Sequence, residues 1–214
     1  MREHPEPDLN TGSGSTADSG RAAPARVLKL APHITDAEAI AVFQRKLPGS
    51  HTEVREVFHP FWWTVLSART RSIFRRSQRS TSDASPSSGP LTGQQMNVLV
   101  NAYSGKGYIA EFEPRGEAAA VEEWLEAFES SDQAGPPPDA DDVSRTARSL
   151  VRTKVVKTVK LGVGLTLDET VAPSGILKPN WIVTGANEKY SATILVDGLD
   201  SSHYIVRVEK RIQD

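Results

Sequence analysis

Cysteine is absent from the 214 residues, and so is any long hydrophobic run. The lack of cysteine excludes disulfides, thiolate nucleophiles and cysteine-based metal sites, and it agrees with a reducing compartment. No segment approaches the roughly 18 consecutive apolar residues needed to cross a bilayer. Residues 1–20 are polar and lack the apolar region of a signal peptide. We therefore expect a cytoplasmic protein that does not insert into a membrane.

The short motifs that mark many active sites are also lacking. The Gly-Val-Gly sequence at 162–164 is not followed by the glycine and Lys-Ser/Thr of a phosphate-binding loop, and the five histidines lack metal-ligand spacing. Asp197, Ser201, Ser202 and His203 gather at one predicted turn, where a polar hairpin tip explains them better than catalysis. The sequence thus predicts no metal, no cofactor and no catalytic residue, and an enzyme is the less favoured interpretation.

The sequence present is that of an ordinary globular protein, with 38% apolar and 24% charged residues. A net charge of −2 indicates no particular partner. We predict an α+β fold made of two tandem helix-plus-antiparallel-sheet units. The predicted segments are a disordered tail over 1–25, a first α+β unit over 26–133 with a mobile Arg/Ser-rich loop at 72–95, a Pro-rich linker at 134–140, and a second α+β unit over 141–214.

Local patterns place helices and strands within the first unit. Thr35 and Glu38 form a capping box that starts a helix ending near Leu47. A second helix over 118–129 is predicted by apolar residues at spacings of three and four. Between the helices, β-branched and aromatic residues and turn signals predict strands over 53–68, 96–103 and 108–113.

The second unit gives a similar but less complete pattern. A helix is predicted from Asp141 to about Lys154, and the Val-rich stretch that continues to Leu167 fits helix or strand equally well. The sequence Pro-Ser-Gly at 173–175 predicts a break. Three strands are then expected over 180–184, 190–196 and 204–209.

The two halves resemble each other in sequence. Residues 100–109 align without a gap with residues 196–205, at an offset of 196 − 100 = 96. Pro60 aligns with Pro179, each two residues before a tryptophan, at an offset of 179 − 60 = 119. The difference, 119 − 96 = 23, is close to the length of the Arg/Ser-rich insertion. We predict an internal repeat, and chance similarity between amphipathic hairpins is the alternative.

The repeated unit, a helix followed by a curled sheet and a Val-(Asn/Asp)-x-x-Ser-Gly-like turn, resembles the PepSY-type modules of the cystatin-like architecture. The resemblance implies a helix that packs on an antiparallel sheet. It also implies an inhibitory or interaction role, although such modules are usually exported or attached to membranes and this chain shows no export signal. No functional residue follows from it.

Aromatic residues are dense in the long predicted strand of the first unit. Phe61 and Trp63 face one side of a strand and Trp62 faces the other, so a thin unit has difficulty burying both. The partner unit or the helix that carries Trp124 would cover the second face if the role is structural. Otherwise Phe61, Trp62, Trp63 and the matching Trp181 are candidate residues for binding a protein partner or lining a groove.

A basic segment follows the same strand. Its arginines could hold phosphate or other anions bidentately, and a solvated loop is the simpler alternative. The candidate anion-binding or nucleic-acid-binding residues are Arg69, Arg71, Arg75, Arg76 and Arg79. A second basic set lies between Arg145 and Lys160, and a face shared by both sets would favour nucleic-acid binding.

These patterns favour a non-enzymatic protein-interaction or adaptor protein that presents sheet edges and an aromatic patch to a protein partner. A nucleic-acid-binding accessory protein that uses the loop from Arg69 to Arg79 is the alternative. A hydrolase or small-ligand carrier is the third hypothesis, with a cleft between the repeats lined by His59, Trp62 and Tyr190. Formation of a homo-oligomer is left open.

Overall fold

The computed structural model describes residues 23–71, 93–130, 136–158 and 163–211. Within these ranges the chain is a mixed α+β protein with three helices and one eight-stranded sheet. The strands are β1 (Val27–Leu30), β2 (His51–Arg71), β3 (Gln94–Asn101), β4 (Gly107–Ala110), β5 (Gly116–Ala119), β6 (Val163–Ala186), β7 (Tyr190–Asp197) and β8 (His203–Lys210). The helices are α1 (Asp36–Lys46), α2 (Val121–Glu129) and α3 (Ala140–Thr158). None of the helices in the described residues is long and apolar enough to cross a bilayer.

Two unusually long strands form the middle of the sheet. β2 has 21 residues and β6 has 24, and they pair antiparallel from His51 opposite Ala186 to Arg71 opposite Val163. β3 and β4 extend the sheet beyond β2, and β7 and β8 extend it beyond β6. β1 pairs in parallel with β6 at residues 175–177 and carries β5 on its other side. The two halves of the chain therefore share one continuous sheet.

Each long strand contains a proline that lies opposite the end of a neighbouring strand. The carbonyl of Pro60 accepts a hydrogen bond from the amide of Ala102 at 3.2 Å, and that of Pro179 accepts one from Gly198 at 3.1 Å. A residue in an antiparallel ladder directs its N–H and C=O to the same side. The missing proline donors therefore point to places where β3 and β7 have already ended, so no ladder bond is lost.

The three helices all cover one face of the sheet. α2 and α3 pack on β2 and β3, where Trp62 lies against Trp124 with ring centroids 5.4 Å apart. α1 packs on β6 and β7 through Phe43, which shares a cluster with Val183 and Ile194. The helix that precedes β2 thus covers β6 and β7 together with the beginning of β2, which pairs with β6, and the helix that precedes β6 covers mainly the first half.

Several predictions of local structure are confirmed. The amide of Glu38 donates to the Thr35 hydroxyl at 3.2 Å, and the Glu38 carboxylate accepts from the Thr35 amide at 2.8 Å, so the capping box starts α1 as expected. The Thr35 amide and hydroxyl both donate to the Glu38 carboxylate, which lowers the pKa of Glu38. The β3–β4 hairpin is also present. α2 begins at Val121 rather than residue 118, because residues 116–119 pair with β1.

Several predicted boundaries are corrected, most of them in the second half of the chain. The Val-rich stretch divides, since α3 continues to Thr158 and β6 begins at Val163. The expected break at 173–175 is wrong, because β6 runs through it and accommodates Pro173 beside a register shift opposite Trp63 and Val65. At the ends of two predicted connecting segments, residues 94–95 belong to β3 and residue 140 belongs to α3. Most of the predicted tail (1–22), most of the Arg/Ser-rich loop (72–92) and part of the linker (134–135) lie outside the described residues.

The turns after β3 and β7 have the same hydrogen bonds at equivalent positions. Four bonds recur when residue numbers are shifted by 96, or by 119 for the proline. The recurring pairs are Asn101 N to Lys106 O (2.9 Å) and Asp197 N to Ser202 O (2.7 Å), Gly105 N to Asn101 O (2.9 Å) and Ser201 N to Asp197 O (3.1 Å), Tyr103 N to Asn101 Oδ1 (2.9 Å) and Leu199 N to Asp197 Oδ1 (2.9 Å), and the two turn-to-proline bonds given above. Gly105 and Ser201 also share a positive φ, at 64° and 60°.

Candidate functional site, a cavity on the face without helices

The face of the sheet opposite the helices carries a cavity of about 920 Å³. Successive side chains of a strand point to opposite faces, so β2 and β6 each contribute alternate residues to this side. Phe61, Leu99 and Ile176 form a buried apolar cluster on it. Polar side chains from both long strands line the adjoining cavity, together with the turns that follow β3 and β7.

An ion pair between Lys178 and Asp197 lies at the base of the cavity. The Lys178 ammonium donates to the Asp197 carboxylate, and only 8% of the lysine side chain and 15% of the aspartate side chain are exposed. Asp197 also accepts from the Leu199 amide at 2.9 Å, and the ammonium lies 5.7 Å from the centre of the Phe61 ring. Removing either charge would leave the other buried without its partner, which is strongly unfavourable.

His59 lies directly across the sheet from Lys178. Its Nδ1 is 2.6 Å from the side-chain nitrogen of Asn180. An amide nitrogen can only donate, so Nδ1 accepts and the ring proton is on Nε2. Burial lowers the pKa of His59, and the positive charge of Lys178 lowers it further against the opposing effect of Asp197. The imidazole is therefore neutral at pH 7 and offers an N–H donor.

Tyrosine side chains form much of the cavity wall. Burial raises the pKa of Tyr108, and the nearby charges of Asp197 and Asp200 and the phenol of Tyr204 raise it further. The Tyr108 ring meets Phe61 edge-on at 6.2 Å. The Tyr108 phenol thus keeps its proton at neutral pH and can donate a hydrogen bond next to two carboxylates.

The charge of the cavity lining is negative. One lysine, Lys178, faces three carboxylates, Glu111, Asp197 and Asp200, which gives a formal charge of 1 − 3 = −2 with neutral histidines. Partial burial would raise the pKa of Asp200, but hydrogen bonds from Ser202 and the charge of Lys178 outweigh it, so the pKa is lowered. The lining therefore favours neutral or positively charged groups over anions.

The predicted aromatic set is divided between the two faces of the sheet. Phe61 and Trp63 lie on the cavity side, where Phe61 lines the cavity and the Trp63 indole donates to Asn97 at 3.1 Å. Trp62, 1% exposed, and Trp181 lie on the helix side, and the Trp181 indole donates to the carbonyl of Ile34 at 2.8 Å. The alternation expected within the strand is confirmed, and the four side chains do not form a single patch.

The predicted basic set is only partly described. Arg69 forms an ion pair with Asp168 at 3.3 Å and follows Ala68, which belongs to the helix-side core, so it lies on the opposite face. Arg71 belongs to β2. Arg75, Arg76 and Arg79 lie outside the described residues. The exposed arginines of α3 are on the helix side, so Arg69 does not share a face with them.

Of the three residues that the sequence suggested for a ligand cleft, only His59 lines the cavity. Most of the other lining residues were not predicted. Trp62 lies on the other face, and Tyr190 pairs with Lys210 at the far end of β7. The alignment of the two halves could have indicated more of the lining, because it pairs cavity residues of one half with cavity residues of the other. The matched lining residues are His59 and Lys178, Phe61 and Asn180, Asn101 and Asp197, Tyr103 and Leu199, and Tyr108 and Tyr204.

Comparisons with protein-family models, with curated proteins and with solved structures gave no match. The resemblance to PepSY-type modules therefore stays a prediction. Across the described ranges, no group of three or more His, Asp or Glu side chains is arranged to hold a metal ion.

Proposed function

We propose that the protein binds a small organic molecule in the cavity on the helix-free face. The observation that carries this proposal is the combination of a cavity of about 920 Å³ with convergent polar groups on an aromatic wall. Ligand sites typically have volumes of about 300–1,000 Å³, apolar walls and a few fixed polar groups. His59, Asn180 and the Lys178–Asp197 pair supply such groups here.

The ligand is neutral or cationic and has an apolar or aromatic part. The negative lining disfavours anions, and the rings of Phe61, Tyr108 and Tyr204 provide surfaces for apolar or cation–π contact. The Nε2–H of His59 offers a donor to a hydroxyl or carbonyl group. Asp200 accepts from the Ser202 amide and is exposed, so its carboxylate can also meet an ammonium group.

We also propose that the chain contains an internal repeat and that the cavity lies between its two units. The segments α1-β2-β3-β4 and α3-β6-β7-β8 are the two units, and the four recurring hydrogen bonds support their equivalence. His59 and Lys178 are equivalent positions that also face each other across β2 and β6. A pseudo-two-fold axis would pass between them, so the ligand would lie where the two units meet.

Saturation-transfer NMR with a matched set of aromatic compounds tests the proposal. Tyramine, 4-ethylphenol and 4-hydroxyphenylacetate share a phenol ring and differ in charge. We expect signals for the cation and the neutral compound and a weaker or absent signal for the anion, because of the lining charge. Affinities in the range of about 0.1–10 mM are expected for molecules of this size.

Leu195→Trp, which adds bulk to a lining residue, is expected to abolish the signals. Val156→Trp, at an exposed position of α3, is the control and should leave them unchanged. Thermal unfolding of both variants establishes that they are folded. Binding that persists in Leu195→Trp, or no binding by any of the three compounds, would contradict the proposed site.

The protein-interaction and nucleic-acid hypotheses stay predictions, as does cytoplasmic location. Of the residues proposed for protein binding, Trp63 and Trp181 are partly exposed on opposite faces. The nucleic-acid hypothesis depends mainly on arginines outside the described residues.

A further inference from the structure

The strand β8 is an exposed sheet edge with an apolar surface. Its hydrogen-bonded neighbour is β7, and the described residues place no strand on its other side. Its apolar side chains are exposed by more than half, at 67% for Tyr204, 65% for Ile205, 64% for Val206 and 56% for Val208. Proteins normally shorten, cover or bulge such edges, because free backbone groups there pair readily with another strand.

The first half of the chain shows how one face of the matching edge strand is covered. β4 occupies the same place beyond β3 that β8 occupies beyond β7. Thr146 and Leu150 of α3 lie directly over Gly107 of β4. α1, which packs on β7, has 11 residues where α3 has 19, so it is 19 − 11 = 8 residues shorter. The shorter helix leaves β8 without equivalent cover.

We propose that β8 pairs antiparallel with β8 of a second copy of this chain. The pairing places Val208 opposite Val208 of the other copy across a two-fold axis. Residues 207–210 suit it because they pair regularly with β7, whereas the register shift on the β7–β8 ladder lies before Arg207. The result is a continuous sheet through both molecules.

Charge complementarity selects this partner and register. With Val208 on the axis, Arg207 of each copy lies opposite Glu209 of the other, which gives two pairs of opposite charge. Arg207 and Glu209 already form an ion pair within one strand, so their side chains lie on the same face. Each arginine then lies between two carboxylates, an arrangement that stabilises cross-strand pairing.

The interface is self-complementary, so it closes after two copies and does not extend into a fibre. Contact through one strand from each molecule is a small interface. The dimer is therefore expected to dissociate on dilution. Arg207, Val208 and Glu209 do not line the cavity, so dimerisation and ligand binding are separately testable.

Sedimentation velocity of the full chain from about 1 to about 100 µM tests the proposal, since weak strand-mediated dimers dissociate in this range. We expect the sedimentation coefficient to rise from that of a monomer to that of a dimer. A monomer throughout the range would overturn the proposal.

Charge exchange tests the register. Arg207→Glu and Glu209→Arg each place like charges opposite each other and should weaken the dimer by roughly tenfold or more. The double variant Arg207→Glu/Glu209→Arg restores both pairs and should return the dissociation constant to within about threefold of the original. Failure of the double variant to recover, when circular dichroism shows it folded, would overturn this pairing.

Val208→Lys places a positive charge opposite its own copy and should also dissociate the dimer. Val156→Lys, which adds the same charge to α3 at a similar exposure of 63%, is the control. Equal effects of the two variants, or none from Val208→Lys, would show that the copies meet elsewhere and would overturn the proposal.

Discussion

At the scale of single residues, His59 in the cavity should make the stability of the fold depend on pH. The folded protein binds a proton at His59 less readily than the unfolded chain does, because burial and Lys178 lower its pKa from the ordinary value of 6.5. Below this ordinary value the unfolded state takes up a proton that the folded state resists, so stability falls as pH decreases. Above it both states are neutral at this position and His59 adds no pH dependence.

We therefore expect the urea concentration at the unfolding midpoint to decrease as the pH is lowered from about 7.5 to about 5.5. The decrease should be smaller in His59→Gln. His51→Gln, at an exposed position on the same strand, is the control and should keep the full slope. The measurement is the change in unfolding free energy with pH. Identical slopes for the original protein and His59→Gln would show that His59 does not resist protonation.

Individual residues of the cavity were hard to predict because their environment depends on pairing between distant segments. In the sequence, Lys178 is an ordinary strand residue and Asp197 belongs to a predicted polar turn, and it is their burial and mutual contact that make the pair notable. His59 appeared promising only as part of a hypothetical cleft. The alignment of His59 with Lys178 was available from the sequence, but without the β2–β6 register it did not show that the two face each other.

At the scale of elements, the two equivalent turns differ at one conformationally demanding position. Gly105 has φ of 64°, which suits glycine, whereas Ser201 holds φ of 60° with a side chain. This left-handed conformation costs a residue with a Cβ about 1–2 kcal/mol. Space is open around a Cβ at Gly105, so conformation alone should decide the effect of substitution there.

Exchanging the residues at these positions should therefore have opposite effects. Gly105→Ser should lower the free energy of unfolding by about 1 kcal/mol. Ser201→Gly should raise it by less than that, because glycine also increases the entropy of the unfolded chain. Urea denaturation of both variants is the measurement. Destabilisation of similar size in both would show that the turns are not conformationally equivalent.

Elements with local signals could be predicted, and those that depend on distant partners could not. The capping box of α1 and the β3–β4 hairpin are encoded within a few residues. β6 contains Pro173 and Pro179, which locally indicate breaks, yet β2 pairs with it along nearly its whole length. A partner more than 90 residues away in sequence supplies the ladder that the local pattern does not reveal.

At the scale of the whole molecule, each half supports the other. β2 pairs with β6 along most of both strands, α1 covers β6 and β7 as well as the beginning of β2, and α3 covers β2 and β3 as well as part of β6. A chain that ends before α3 would lose the main partner of β2, part of the cover of β3 and the β6 and β7 surface beneath α1. Because each half packs on elements of the other, we predict that the two halves fold together.

Fragments 1–135 and 136–214 test this interdependence. We expect neither fragment alone to show a cooperative thermal transition, because each exposes the long edge of β2 or β6 together with apolar surface. Mixing them should restore the circular dichroism spectrum of the intact chain. A cooperative transition in either isolated fragment would instead support the independent α+β units predicted from sequence.

The long central strands also bear on how the protein can change over evolutionary time. Along much of β2 and β6, alternate residues face the helices and the residues between them face the cavity side. Substitutions with a period of two could therefore alter recognition while the residues that hold the helices remain untouched. Under the proposed ligand-binding function, selection for a new ligand and selection for a stable fold would act on interleaved but separate sets of positions in the same two strands.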